Sequence, residues 1–253
     1  MTYPENLNIL SLDTCGSTNS YLKQHYHLLQ SRLPLLVTAT EQTEGRGRDR
    51  RSWVSQPGKG LYTSLAFDIP TSNKLYLLAL IAAISVIETL QEITGLRFQL
   101  KWPNDILFQS KKIAGILIEN TIVENRLSCI VGIGINLNHQ PEDFPPELRD
   151  RAISVKMAAN LDKDITPEEI NPILARYFFI RIGNLTGEKR DNIIAIANRY
   201  SRHLIDQPIS FHQPYGDQKI QGIFKGIYHD GGMILENKDG SRTIHHSGEI
   251  NHC

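Results

Sequence analysis

Apolar positions along the chain recur first with the period of strands, then with the period of a long helix, then of strands again. Ile9 to Asp13 and Leu35 to Ala39 read as short strands, the second almost wholly apolar, as a buried strand would be. Leu61 to Phe67 alternates, placing Leu61, Thr63, Leu65 and Phe67 on one face. Lys74 to Ile93 predicts a long buried helix; its nearly all-apolar part, Leu75 to Ile87, is too short to span a bilayer and runs into Glu88, Gln91 and Glu92. Four strands with short turns follow, over Phe98–Lys101, Ile106–Phe108, Ile113–Thr121 and Leu127–Asn138. His139 to Asp150, with its prolines and acids, reads as a surface loop. Glu168–Leu185 and Lys189–Tyr200 read as helices, the second introduced after Gly187. Strand upon strand with few helices between them predicts an α+β fold, a mixed, largely antiparallel sheet backed by helices on one side.

From about Leu204 the texture changes to short strand-like runs, with turns at Asp230-Gly231-Gly232 and Lys238-Asp239-Gly240. Asp-Gly between alternating runs is a strong hairpin signal. The expected organisation is one large domain over residues 1–203 and a small barrel-like module over 204–253. His245-His246 has no partner ligands at zinc-like spacing and reads as surface.

Composition narrows the function. The 253 residues carry 27 Lys and Arg against 27 Asp and Glu, so nothing global marks a nucleic-acid binder. Positive charge is instead local, in Gly45-Arg46-Gly47-Arg48-Asp49-Arg50-Arg51-Ser52-Trp53. Glycine lets backbone N–H groups come close to an anion, and arginine supplies planar, permanently charged forks for phosphate or carboxylate. A second polar stretch, Lys101-Trp102-Pro103-Asn104-Asp105, offers an amide and a carboxylate in consecutive positions, and Lys111-Lys112 then enter an apolar strand. Cys15, Cys129 and Cys253 are too few and too scattered for a disulfide framework or a zinc site, and the first residues lack the charged-then-apolar signal pattern. A soluble protein of the reducing cytoplasm is expected.

Together these residues resemble the biotin protein ligases, also called biotin–[acetyl-CoA-carboxylase] ligases. The resemblance is carried in family order by Ser17-Thr18-Asn19, by Gln42 ahead of Gly45-Arg46-Gly47-Arg48, by Trp53, by Lys101-Trp102-Pro103-Asn104-Asp105, by Lys112-Ile113-Ala114-Gly115-Ile116-Leu117-Ile118-Glu119 and by Gly132-Ile133-Gly134-Ile135-Asn136. A fainter echo runs from Gly222 to Ile250. The resemblance implies a class II synthetase-like ligase domain with a small SH3-like C-terminal barrel. It implies biotin and ATP with Mg²⁺ as substrates, and biotinyl-5′-AMP as intermediate. The acceptor would be a lysine of the biotin carboxyl carrier protein of acetyl-CoA carboxylase, with a sheet-edge homodimer conceivable and no membrane or nucleic-acid partner. The ligase-like strand begins within the first ten residues or so, which leaves no room for a helix-turn-helix ahead of it and predicts a ligase without operator binding. A lipoate–protein ligase-like enzyme and a non-catalytic biotin or adenylate module are the competing readings.

Site roles follow. An acid attacking a polyphosphate brings two anions together, so Arg46, Arg48, Arg51 and Lys112 are expected to neutralise them. Lys112 is the choice for the acid's carboxylate and the charge developing at the acyl phosphate; Lys101 and Asn104 join the binding set. Asp105 is read three ways: as acceptor of the incoming lysine's proton, as a water-mediated Mg²⁺ contact, or as a turn cap. Period 2 puts Lys112 on the face of Ala114, opposite Ile113 and Gly115. Gly132, Gly134 and Asn136 share a face that reads as a ligand floor, or as packing against the helix over 74–93. Ser17, Thr18 and Asn19 suit a helix N-cap and a ligand contact equally. Gln42, Gly45, Gly47, Trp53 and Gly115 complete the binding set. Family loops usually have glycine where this chain has Arg50, which takes a positive φ less cheaply.

Overall fold

A computed structural model describes residues 7–49, 51–69, 75–123, 126–183, 189–213 and 219–252. Arg50, Lys74, Leu185, Gly187 and Cys253 lie outside the described residues. The elements in order are β1 (Asn8–Cys15), α1 (Thr18–Gln24), α2 (Tyr26–Leu29), β2 (Leu35–Gln42), β3 (Gly60–Ile69), α3 (Leu75–Thr94), β4 (Gln99–Lys101), β5 (Asp105–Phe108), β6 (Lys111–Val123) and β7 (Arg126–Asn136). Then come α4 (Val155–Ala159), α5 (Pro167–Ile182), α6 (Lys189–Tyr200) and β8 (Gln207–His212), β9 (Lys219–Ile227), β10 (Met233–Glu236), β11 (Arg242–His245) and β12 (Glu249–His252).

Seven strands form one sheet in the order β1-β2-β3-β7-β6-β5-β4, antiparallel except for the parallel β1–β2 pair. Helix α3 is apolar at nearly every position because it lies in the middle of the core; by length and composition alone it could cross a membrane. Its few hydroxyls are satisfied within the helix, Ser85 Oγ donating to the Ile81 carbonyl at 2.8 Å and Thr89 Oγ1 to that of Ser85 at 2.7 Å. Pro167 opens α5, where the Glu169 carboxylate accepts from the Thr166 N–H at 2.8 Å.

Helices on one side only does not hold. Leu36, Leu61, Leu65 and Phe67 join the core built with α3 and α5, whereas Leu35, Val37, Ala66 and Ile130 pack from the opposite face against Leu22 and Leu29 of α1 and α2. β3 is accordingly buried on both faces, and its alternation separates two cores rather than core from water. The region 139–150 is not all surface either: His139 and Phe144 are buried, and their rings stack at 4.8 Å.

The C-terminal strands form an open five-stranded sheet, β11-β10-β9-β8-β12; β11 and β12 do not pair among the described residues, so the expected barrel is not closed. Both predicted hairpin turns are present, with Gly231 at φ +96° and Gly240 at φ +82°. The apolar core runs into this sheet through Phe211, Phe224, Met233, Leu235 and Ile250. The Trp102 indole N–H donates to the Gly231 carbonyl at 3.0 Å, and His246 stacks on Tyr76 at 4.3 Å while bonding Asp230 at 2.9 Å. His246 is thus part of the contact between the C-terminal sheet and α3, while His245 lies against Phe211 within that sheet; no cluster of metal-ligating groups occurs among the described residues.

Candidate active site

All the residues singled out above for binding or catalysis, Gly45 excepted, line one cavity of about 680 Å³ on the sheet face away from α3. Its floor is the pair of central strands β6 and β7, where Gly115 stands opposite Gly134 and Leu117 opposite Gly132. The isoleucines and valine alternating with these glycines face the α3 core, so the glycines do not pack on that helix.

The glycines make room for side chains of this chain. A Cβ on Gly134 would lie 2.6 Å from Cε2 of Trp53, one on Gly115 3.0 Å from Cζ3 of the same ring, and one on Gly132 2.5 Å from Oδ1 of Asn19. Trp53 therefore rests flat on a side-chain-free window of two strands, and its buried indole N–H has no hydrogen-bond partner among the described residues. Asn136 is turned differently: its amide donates to the Ile153 carbonyl at 3.2 Å and that of Lys112 at 3.4 Å, tying β7 to the segment behind it.

Lys112 is on the Gly115 face, where a Gly115 Cβ would lie 3.2 Å from its Cε, and not on the Ala114 face expected from strict alternation. The β5–β6 pairing shifts register between Ile106↔Ala114 and Leu107↔Lys112, leaving Ile113 as an extra residue. Such a bulge resets the parity of the strand and swings Lys112 from the core side to the cavity. Its ammonium pairs with Asp105 Oδ1 at 2.6 Å and lies 5.4 Å from the Trp53 ring centroid.

The arginine segment folds as a tight hairpin. Trp53 N–H donates to the Gly45 carbonyl at 2.8 Å, Gly47 N–H to that of Arg51 at 2.7 Å and Arg51 N–H to that of Arg48 at 3.0 Å. Gly45 is required for this closure, since a Cβ there would lie 2.3 Å from the Trp53 carbonyl. The described left-handed residue of the turn is Asp49, at φ +54°, a residue type that tolerates that region. Each described arginine has a separate tether: Arg46 on Glu119 at 2.9 Å, Arg48 on the Asn104 side-chain oxygen at 2.9 Å, and Arg51 on Glu249 at 3.1 Å. Asn104 in turn donates to the Ile116 carbonyl at 2.8 Å, and Lys101 shares Glu249 at 3.1 Å. Burial works to raise the Glu249 pKa, but the hydrogen bonds and charges of Arg51 and Lys101 outweigh it and hold the carboxyl below its ordinary value.

At the other end Ser17 occupies the N-cap position of α1 in extended conformation but caps nothing with its side chain. Gln42 does that work from across the sheet: its carbonyl oxygen accepts from the Thr18 backbone N–H at 2.8 Å and the Thr18 hydroxyl at 3.2 Å, and its amide donates to Ser55 at 3.0 Å. Ser64 Oγ lies 2.6 Å from Thr18 Oγ1 and 2.7 Å from Asn19 Oδ1, completing a buried polar network.

Sequence reading missed two of the acceptors that hold the cations in place. Glu119 sits inside a quoted motif but received no role, and Glu249 arrives from a strand whose sequence position says nothing of this neighbourhood. Ser64 is hidden in an apolar strand. His139 is wholly buried at the cavity wall, and neither ring nitrogen has a hydrogen-bond partner among the described residues. Burial, chiefly, lowers its pKa from the ordinary 6.5 to about 4.

The Biotin/lipoate A/B protein ligase family model matches residues 12–136. The bifunctional ligase/repressor BirA of Bacillus subtilis is 50% identical over 127 residues, which is 49% of this chain and 39% of that protein, so this chain spans well under two thirds of that relative. The biotin–[acetyl-CoA-carboxylase] ligase of Paracoccus denitrificans is 29% identical over 215 residues, 82% of this chain and 86% of that one. The biotin protein ligase from Aquifex aeolicus, solved in complex with biotin and ATP, superposes with a TM-score of 0.81 at 30% identity, covering 96% of this chain and 97% of that one. With the arginine hairpin, the glycine window and Lys112 in one cavity, the chain belongs to the biotin protein ligase family.

Proposed function

We propose that this protein is a biotin–[biotin carboxyl-carrier protein] ligase, which condenses biotin with MgATP to biotinyl-5′-AMP and passes the biotinyl group to a lysine of the carrier protein of acetyl-CoA carboxylase. The observation that carries the reading is Lys112, swung by the bulge onto the glycine window between Trp53 and Asp105. In the first step a biotin carboxylate oxygen bonds to the α-phosphorus and the bond to pyrophosphate breaks. Lys112, Arg48, Arg51 and Lys101 face that charge with groups that are cationic before substrate arrives, so little reorganisation is needed at the moment of reaction. The polar network of Thr18, Asn19 and Gln42 supplies donors and acceptors for the uncharged ring end of the acid.

In the second step the carrier's neutral amine bonds to the acyl carbon and the bond to AMP breaks. Asp105 orients Lys112 and stands ready for the proton the amine must lose. Asp105 and Glu249, single carboxylates each tied to a cation, are the groups that would meet a Mg²⁺ brought in with the nucleotide, through its waters, and the ion would supply charge neutralisation at the phosphates. The Gly45–Trp53 hairpin covers the mixed anhydride against water. We assign residues 1–203 to the catalytic unit and 204–253 to an SH3-like module that brings Glu249 to it. The edge of β1, which no other described strand covers, suits strand pairing with a second copy, and the reducing cytoplasm is the setting proposed.

The test is acid-dependent ATP–pyrophosphate exchange, run with biotin, with lipoate and with no acid. Exchange with biotin alone is expected. Exchange with lipoate alone would replace the substrate assignment, and tight biotin binding without exchange would make the protein a sensor.

A further inference from the structure

Glu119 lies on β6 at the rim of the cavity and gathers donors from both the acid pocket and the hairpin. Its Oε2 accepts from Asn19 Nδ2 and from Arg46 Nη2, both at 2.9 Å, and its Oε1 from Lys23 Nζ at 3.0 Å. The Asn19 amide is thereby fixed by its nitrogen, which points its oxygen toward Ser64 and the space above Gly132. Arg46 is held at a second point by Ser20 Oγ at 2.9 Å, so the start of the hairpin is clamped to α1 and β6 together. The carboxylate is mostly shielded, with 17% of its side chain exposed, whereas Lys23 and Arg46 are each exposed by more than twice that. Burial works against the charge on Glu119, but the hydrogen bonds of Asn19 and Lys23 and the charge of Arg46 prevail and hold its pKa below the ordinary value.

We propose that Glu119 is a positioning residue which couples acid binding to site closure: one carboxylate sets the Asn19 amide in the ring pocket and pins the Arg46 end of the covering hairpin. The proposal rests on the acyl-adenylate reading above. Glutamine at this position, with its oxygen kept where Asn19 and Arg46 both bond, turns its N–H₂ group toward Lys23 and leaves Arg46 a neutral acceptor in place of a carboxylate, so the Arg46 tether loses its charge.

The experiment compares Glu119→Gln, Glu119→Asp, Asn19→Ala and Arg46→Ala in the full chain, measuring kcat and biotin KM in pyrophosphate exchange and the AMP released per biotinyl group transferred. For Glu119→Gln the biotin KM rises about tenfold, the loss expected of one charged hydrogen bond. AMP release also outruns transfer, while kcat for exchange stays within about threefold. Asn19→Ala reproduces the KM effect and Arg46→Ala the uncoupling; Glu119→Asp restores part of both. Unchanged KM and coupling in Glu119→Gln, or a fall in kcat alone, overturns the proposal. Trypsin cleavage at the hairpin reads the same tether without turnover and separates this idea from the substrate assignment. Faster cleavage of Glu119→Gln than of wild type upholds the pin even if no acid supports exchange, and equal rates refute it. Should Glu119→Gln not fold, the same two comparisons on Arg46→Ala and Asn19→Ala decide: separate effects uphold the coupling, and two silent substitutions overturn it.

Discussion

Single atoms decide what this cavity can do. Lys112→Ala removes an ammonium lying over the glycine window and is expected to slow both adenylation and transfer by about 10²–10³-fold, as loss of one preorganised electrostatic donor does elsewhere. Pyrophosphate exchange reads the first step and transfer from preformed biotinyl-5′-AMP the second. Gly134→Ala places a methyl group 2.6 Å from the Trp53 ring, which must then leave the window. Activity is expected to fall steeply in the wild-type background and little in a Trp53→Ala background, a non-additivity measurable in a double-mutant cycle. His139 acts on stability instead. It is neutral in the fold with a pKa of about 4, whereas the unfolded imidazole titrates near 6.5. The unfolded chain takes the proton first as pH falls, so the full stability above pH 6.5 drains away toward pH 4, by about 3 kcal/mol over that window. His139→Leu removes both unpaired nitrogens and should flatten the melting temperature across that range.

At the scale of elements, strand and helix positions were legible because apolar period and length suffice for them. The buried helix, for example, spans Leu75–Thr94 where the pattern gave 74–93. Parity was not legible. The side of the sheet that Lys112 occupies depends on whether Ile113 is paired or extra, and that is settled by β5, a partner strand, rather than by β6 itself. The tethers were hidden for a related reason: Glu249 and Arg51 are far apart in sequence, and only the packing of the second sheet brings them to 3.1 Å. The glycines carried a true signal of close approach, but no periodicity says that Asn19 and Trp53 are what approaches. For α1, Ser17 looked like a cap, yet Gln42 satisfies the helix from another strand.

The larger of the two cores runs through both sheets. Phe211 and Phe224 of the C-terminal sheet belong to the same buried cluster as α3 and the central strands. Phe211→Ala is expected to cost about 3–5 kcal/mol, the usual toll of a large core truncation. The loss should appear as a downward shift of a single calorimetric transition, because the two sheets unfold together; two separated transitions would contradict that. A junction of this kind makes the arginine hairpin depend on a distant strand through Glu249.

The chain contains two tryptophans, and they stand at its two decisive places. Trp53 covers the glycine window with its indole N–H unbonded among the described residues, and Trp102 is buried between the sheets with its N–H on the Gly231 carbonyl. Light emission from the protein therefore carries two separable messages. With Trp102 changed to phenylalanine, the remaining fluorophore reports filling of the cavity; with Trp53 changed instead, it reports whether the C-terminal sheet is seated. The fold has installed its own pair of optical probes, one for occupancy and one for assembly.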